Sequence, residues 1–248
     1  MTRLDTSSWN DVYDSVDGWV GREMDAVVRS FDSIQQSCGV SGHIVEIGVH
    51  HGRLFFLLDL MRREGERSYA IDLFGAQDLN IDRSGGGTSP EAIFRNNVSK
   101  YRPGQEGQIE VISCDSLGLT PWGLDRRLDG RGVKFFSIDG GHTAMHVLND
   151  MALAEAVLAP GGIIALDDFG SPFWPGVSEG FHRYMLQRNR RLAPILFFEN
   201  KLFLTTYSEH HHYSDLLREE LHQEFGEFFL TDRWKVTDIC GFRTTVCV

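Results

Sequence analysis

The stretch KFFSIDGGH, residues 134–142, decides how the rest of the chain is read. Its apolar run has the length and continuous hydrophobicity of a strand buried on both faces. It stops on Asp139, passes through Gly140 and Gly141, and leaves His142 at the mouth of the next helical segment. A second stretch, GGIIALDDF at residues 161–169, repeats the form: glycines, a short aliphatic strand, then Asp167 and Asp168 where the strand runs out. Two strand ends that both finish in carboxylates imply a site along one edge of a sheet.

Outward from these two runs the chain alternates strand and helix. HIVEIGV (43–49), SYAIDLF (68–74) and QIEVISCD (108–115) read as three strands before the first quoted one, and IIALDD (163–168) as the strand after it. HGRLFFLLDLMRR (51–63) and TAMHVLNDMALAEAVLA (143–159) read as helices, the latter ended by Pro160, Gly161 and Gly162. Another helix is begun by Ser89 with Pro90 at its first position and runs to Tyr101, and a further one covers 178–190. APILFFENKLFLTTY (193–207) reads as a closing antiparallel hairpin turning at Glu199 and Asn200. Repeated strand–helix–strand connections predict an α/β, Rossmann-like doubly wound sheet, mostly parallel with an antiparallel closing strand and helices on both faces. Trp19, Val20, Met24, Val27, Val28, Phe31 and Ile34 predict a helix over 17–37. The expected organisation is a helical cap at 1–41, a core at 42–207 and a C-terminal extension at 208–248. DRSGGGTS (82–89) predicts a mobile loop able to close over a ligand.

Composition bounds the partners. The chain has 248 residues and a formal net charge of -11, with no basic stripe to offset it, which argues against nucleic acid. Cys38, Cys114, Cys240 and Cys247 form no C-x-x-C pair and read as reduced thiols. No apolar run approaches the roughly 20 residues of a spanning helix, and the N-terminus lacks a signal-peptide pattern. A soluble, cytoplasmic protein with no membrane partner is expected, with a homo-oligomer left open. His50 and His51 are expected to face solvent, and His210, His211 and His212 to lie in a solvated loop, since adjacent positions do not converge on one ion.

In an open parallel sheet, ligands bind beyond the carboxyl ends of the strands. There the first strand carries Glu46, Gly48 and Gly52, spaced E-x-G-x-x-x-G rather than as the dinucleotide fingerprint G-x-G-x-x-G. An acidic residue two before the glycine suits a cationic amino-acid or adenosyl ligand better than a pyrophosphate. The second strand ends in Asp72, placed to accept from ribose hydroxyls. The third ends in Asp115 followed by Ser116, placed to accept from an exocyclic amine.

Glu46 to Gly52, Asp72, Cys114-Asp115-Ser116, Ile138-Asp139-Gly140-x-His142 and Pro160-Gly161-Gly162 through Asp167-Asp168 together resemble the class I S-adenosylmethionine-dependent methyltransferases. The nearer resemblance is to the branch of macrocin O-methyltransferases and cephalosporin hydroxylase-like proteins. It covers residues 42–206 and includes WPGVSEGF at 174–181; it departs at Gly141, where an acidic or polar residue is common. The resemblance implies that Glu46, Gly48, Asp72 and Asp115 hold S-adenosylmethionine, with Gly52 and Ser116 beside them. It further implies that Asp139, Asp167 and Asp168 hold a divalent metal.

Neighbouring parallel strands lie about 4.8 Å apart, so carboxylates ending two of them can converge on one cation. Oxygen ligands without thiolate favour Mg²⁺, with Mn²⁺ or Ca²⁺ as alternatives. His142, three residues beyond Asp139, is placed to take a hydroxyl proton as general base, with Asp139 the other catalytic candidate. The expected activity is metal-assisted O-methylation of a small-molecule hydroxyl, on a sugar or polyol-bearing natural product. Two alternatives stand beside it. A nicotinamide-dependent sugar-modifying enzyme is disfavoured because no Tyr-x-x-x-Lys pair occurs. The other is a non-catalytic protein that keeps the fold.

Overall fold

The computed structural model describes residues 3–82 and 90–247. The glycine-rich stretch predicted as a mobile loop lies, apart from Asp82, outside the described residues, as does Ser89. Nine strands form one sheet: β1 (His43–Ile47), β2 (Ser68–Asp72), β3 (Ile109–Ser113), β4 (Val133–Ile138), β5 (Leu158–Leu166), β6 (Leu192–Phe198), β7 (Lys201–Thr206), β8 (Trp234–Ile239) and β9 (Phe242–Cys247). Their order is β3-β2-β1-β4-β5-β7-β6-β9-β8. The chain reverses direction across the sheet between β1 and β4, the switch point at which α/β proteins open a crevice. β7 and β8 run antiparallel to their neighbours; the other contacts are parallel.

The helices are α1 (Trp9–Ser15), α2 (Met24–Ser37), α3 (Arg53–Asp59), α4 (Glu91–Tyr101), α5 (Pro121–Arg127), α6 (Ala144–Val157), α7 (Pro175–Met185) and α8 (His210–Phe225). They cover both faces, so the central strands are buried along their whole length, and that is why these strands read as unbroken apolar runs. Successive residues feed opposite cores. Phe135 and Ile163 pack with Phe31, Phe55 and Tyr213 on one face. Phe136 and Ile164 pack with Met151, Phe181 and Tyr184 on the other.

Four expectations need correction. The helix predicted over 17–37 begins only at Met24, as α2; residues 17–23 are not helical, a separate helix, α1, lies before them, and Trp19 is 80% exposed rather than packed in a core. Gly18 and Gly21 lie in that segment, where a side chain at Gly21 would collide with Glu199. Second, Pro160, Gly161 and Gly162 do not follow the helix but lie inside β5. The ladder skips there, from Val133 opposite Leu158 to Phe135 opposite Ile163, and Gly161 takes φ +75° to absorb the bulge. Third, α5 falls where no helix was read; Thr120 caps it by accepting from the Gly123 N–H, with Pro121 at its first position. Fourth, His210 to His212 form the first turn of α8, and the buried His210 Nε2 lies 3.1 Å from the Pro194 carbonyl and 3.0 Å from that of Arg243. It ties β6 to β9, which pairs parallel with β6, so the segment 208–248 continues the sheet.

Candidate active site

Strand register gathers the site. Ile47 pairs with both Ile71 and Ile138, Ile138 with Leu166, and Leu166 with Leu202. One step further, Asp72, Gly48, Asp139, Asp167 and Lys201 therefore form a single row across the carboxyl end of the sheet. The ladder itself extends that far: the N–H groups of Gly48, Asp139 and Asp167 donate to the carbonyls of Ile71, Ile47 and Ile138 at 2.8, 2.8 and 2.9 Å. Gly48 has φ +85°, and any Cβ there would collide with the Asp139 carbonyl, so only glycine lets the row close at its centre. Two residues back, on the same face as Gly48, lies the buried Glu46.

The part of the row around β1, β2 and β3 is bonded to backbone. Asp72 accepts from the N–H of His50 at 2.8 Å and of Phe74 at 2.6 Å. Burial pushes its carboxyl above the usual range, while those N–H groups pull it back. His50 sits in the left-handed region at φ +49° to present its N–H. Contrary to the expected solvent exposure, the His50 and His51 rings are half-buried, stacked 3.8 Å apart, with Trp19 4.9 Å from His50. Asp115 accepts from the Leu117 N–H at 2.9 Å and is 3.5 Å from Nε2 of His146. Ser116 is buried, and its carbonyl accepts from Asn149. Gly52 precedes α3 at φ +98°, under the rings of Phe56 and Phe94. Glu46 accepts from the Ser137 hydroxyl at 3.1 Å through Oε1, while its buried Oε2 finds no hydrogen-bond partner among the described residues. Burial pushes its carboxyl up to about 8 against the opposing charge of Lys201.

The other part, beyond β4 and β5, is bonded to charged side chains. Lys201, 1% exposed, is ion-paired with Asp167 and lies 3.9 Å from Asp139. Burial pulls its pKa down, but the charges of Asp167 and Asp139 outweigh this and the net shift is upward. Asp139 is held well above the carboxylate range by burial and by the charge of Asp167, although 30% of its side chain remains exposed to solvent. Asp168 stands at φ +55°, its N–H donating to Asp167 and its Oδ2 3.1 Å from Nε2 of His142. Burial would raise its carboxyl; His142 and Asn200 hold it below the ordinary value. His142 stacks on Trp174 at 4.2 Å, and its Nδ1 lies 3.0 Å from Oδ2 of Asp82, which also accepts from its backbone N–H. Burial opposes protonation of this ring, but the two carboxylates prevail and its pKa is raised.

Of the three carboxylates expected on a metal, Asp139 and Asp168 open to one point, and His142 joins them there: each offers an atom within 4.8 Å of the others. Asp167 is not in that group; its oxygens are engaged by Lys201 and the Asp168 N–H. Gly141 departs from the family pattern for a local reason, since a Cβ there would come within 2.6 Å of the His146 ring. Lys201 and Asp82 were given no role from sequence. A lysine opening the otherwise apolar strand KLFL, straight after the turn at Glu199 and Asn200, was the available signal for the first. Asp82 had none beyond lying beside the glycines.

A family model described as a methyltransferase domain matches residues 45–169, from β1 to just past Asp168. The chain belongs to this methyltransferase family. The enzyme class expected from the sequence, a class I S-adenosylmethionine-dependent methyltransferase, is thus met. Solved structures agree on the fold. The O-methyltransferase NovP superposes with a TM-score of 0.62 at 16% identity, covering 75% of this chain and 81% of its own. The calicheamicin methyltransferase CalS11 gives 0.57 at 17% identity, covering 83% and 87%. MycE, from the mycinamycin pathway and solved with Mg, SAH and mycinamycin VI, gives 0.53 at 16% identity, covering 83% of this chain and 54% of its own. No curated protein matches the sequence significantly. Among the described residues, no helix of the methyltransferase is long and apolar enough to cross a membrane.

Proposed function

We propose that this methyltransferase methylates a hydroxyl group of a small molecule carrying a sugar or polyol, with a divalent cation beside the acceptor. The observation that carries this reading is the convergence of Asp139, His142 and Asp168 on one point, beside the row that also holds Gly48 and Asp72, with Glu46 two residues before Gly48. S-adenosylmethionine, when bound, supplies an electrophilic methyl group on a sulfonium. For it, Glu46 offers a buried, unpartnered carboxyl oxygen to a cationic amine, Asp72 accepts from vicinal hydroxyls, and Asp115 with Ser116 takes an exocyclic amine. Gly48 keeps the backbone open for close approach. The donors at the other end are two carboxylates without a thiolate, hard oxygen ligands that fit Mg²⁺ or Mn²⁺, with the borderline nitrogen of His142 beside them. Such a cation lowers the proton affinity of a coordinated hydroxyl.

The chain's own residues supply the rest. Asp139 and Asp168 would hold the cation, which would polarise the acceptor hydroxyl, and Asp167 stays bound to Lys201 so that its charge is compensated. His142 removes the hydroxyl proton through Nε2, with Trp174 fixing the plane of its ring. A second reading, His142 as third metal ligand, is favoured by the same closeness of atoms.

The experiment is turnover with S-adenosylmethionine over a panel of sugar- and polyol-bearing acceptors, read as a mass gain of one methyl group. Excess chelator is expected to abolish the reaction while leaving S-adenosylhomocysteine binding intact, and Asp168→Ala to behave like the chelated enzyme. His142→Ala is expected to keep Mn²⁺ and lose roughly 100- to 10,000-fold in rate. Loss of Mn²⁺ in that variant would instead make His142 a ligand. Full activity in chelator would end the metal reading.

A further inference from the structure

We infer that Asp82 is a positioning residue: it holds the proton of His142 on Nδ1 and thereby turns Nε2 toward the acceptor. The inference rests on the reading that Nε2 of His142 works in the site. One oxygen, Oδ2 of Asp82, receives both the backbone N–H of His142 and its Nδ1, the latter at 3.0 Å. A side chain gripped by the same atom through backbone and ring has little freedom about either of its torsions. Trp174, stacked at 4.2 Å and nearly parallel, fixes the face of the ring. What is left pointing outward is Nε2, 3.1 Å from Asp168 and in the cluster with Asp139.

A neutral imidazole carries one proton, and two carboxylates compete for it. Asp168 reaches this histidine through Nε2 alone, at 3.1 Å, and has no second hold on it. Asp82, with only 8% of its side chain exposed and already fixed by the His142 N–H, would keep the proton. The proton then stays on Nδ1, and Nε2 has a lone pair free to receive the hydroxyl proton. When it does, the ring becomes an imidazolium stabilised by Asp82, which need not itself take the proton. Asp82 comes from a distant part of the sheet. It lies ten residues beyond Asp72, on the chain leaving β2, and reaches the end of β4 with β1 in between. The same segment therefore carries a proposed cofactor carboxylate at one end and the partner of the base at the other.

The test is the ring nitrogen chemical shifts of ¹⁵N-labelled enzyme, with Mg²⁺ and S-adenosylhomocysteine present and at a pH above the titration of the ring. His142 is assigned by its loss in His142→Ala. The wild type should show Nδ1 protonated and Nε2 bare. Asp82→Asn is close in shape but can donate as well as accept, so it should lose that preference while its melting temperature is unchanged and its S-adenosylhomocysteine affinity stays within twofold of wild type. Its kcat should fall tenfold or more with an unchanged KM for S-adenosylmethionine, and Asp82→Glu should recover part of the loss. A wild-type ring protonated on Nε2, or an Asp82→Asn ring with an unaltered tautomer, overturns the inference. Failure of the wild type to bind S-adenosylhomocysteine would instead strike the proposed function, and the tautomer measured with Mg²⁺ alone would still judge Asp82.

Discussion

The two ends of the row are built from the same residue type and behave differently. Around β1, β2 and β3 the carboxylates are steadied by backbone N–H groups: Asp72 by His50 and Phe74, Asp115 by Leu117. Beyond β4 and β5 they are steadied by ionisable side chains: Asp167 by Lys201, Asp168 by His142. Backbone dipoles cannot be titrated or displaced, so the first end is a shape fixed by folding. The second is a set of charges whose balance changes with each ion or proton that enters.

Lys201→Met tests this contrast most severely. The variant would leave Asp167, Asp139 and Glu46 buried or half-buried around a missing cation, and removal of one partner of a buried pair costs about 3–5 kcal/mol. Denaturant unfolding should register that loss at neutral pH, with partial recovery in acid as the carboxyls protonate. A variant as stable as wild type would mean that Lys201 does not hold the second end together. Asp72→Ala probes the first end. Calorimetry should find S-adenosylhomocysteine binding weakened by roughly 1–3 kcal/mol, the worth of hydrogen bonds to a charged group, with Mn²⁺ affinity unchanged. Equal losses in both would erase the distinction between the two ends.

The smallest effect concerns Glu46, which belongs to the first end by position and to the second by its dependence on Lys201. The free protein holds a proton there until the pH passes about 8, because burial disfavours the charge. A ligand bringing a cationic amine favours the ionised form, so binding releases the proton and tightens as pH rises. Between pH 7 and 8 the gain should be about fivefold, on the order of 1 kcal/mol, and it should vanish in Glu46→Gln. Affinity that is flat over this range in the wild type would place the ligand's amine elsewhere.

The sequence carried the strand ends well because each is a local pattern. An apolar run that stops on Asp72, Asp139 or Asp167 can be read without knowing what lies beside it. Partners set by register across distant strands were not legible. Lys201 reaches Asp167 only because Leu202 pairs with Leu166, and Asp82 reaches His142 from sixty residues away. The true start of α2 was hidden because Trp19 and Val20 continue the helical spacing of Met24 and Val27 by coincidence. The continuation of the sheet into β9 was hidden because that strand joins β6 across the whole of α8.

That late joining has a consequence for how the molecule comes into being. β6 is bordered on one side by β7, its immediate successor in the chain, and on the other by β9, which is made some forty residues afterwards. A nascent chain that has emerged as far as residue 207 can dock its hairpin onto β5 but presents β6 as an open edge. The aromatic side of that strand, where Phe198 meets Phe225 and Trp234, also awaits its cover. Until residues 242–247 arrive, this edge is the natural place for the growing polypeptide to be captured by a chaperone or to pair wrongly with another copy.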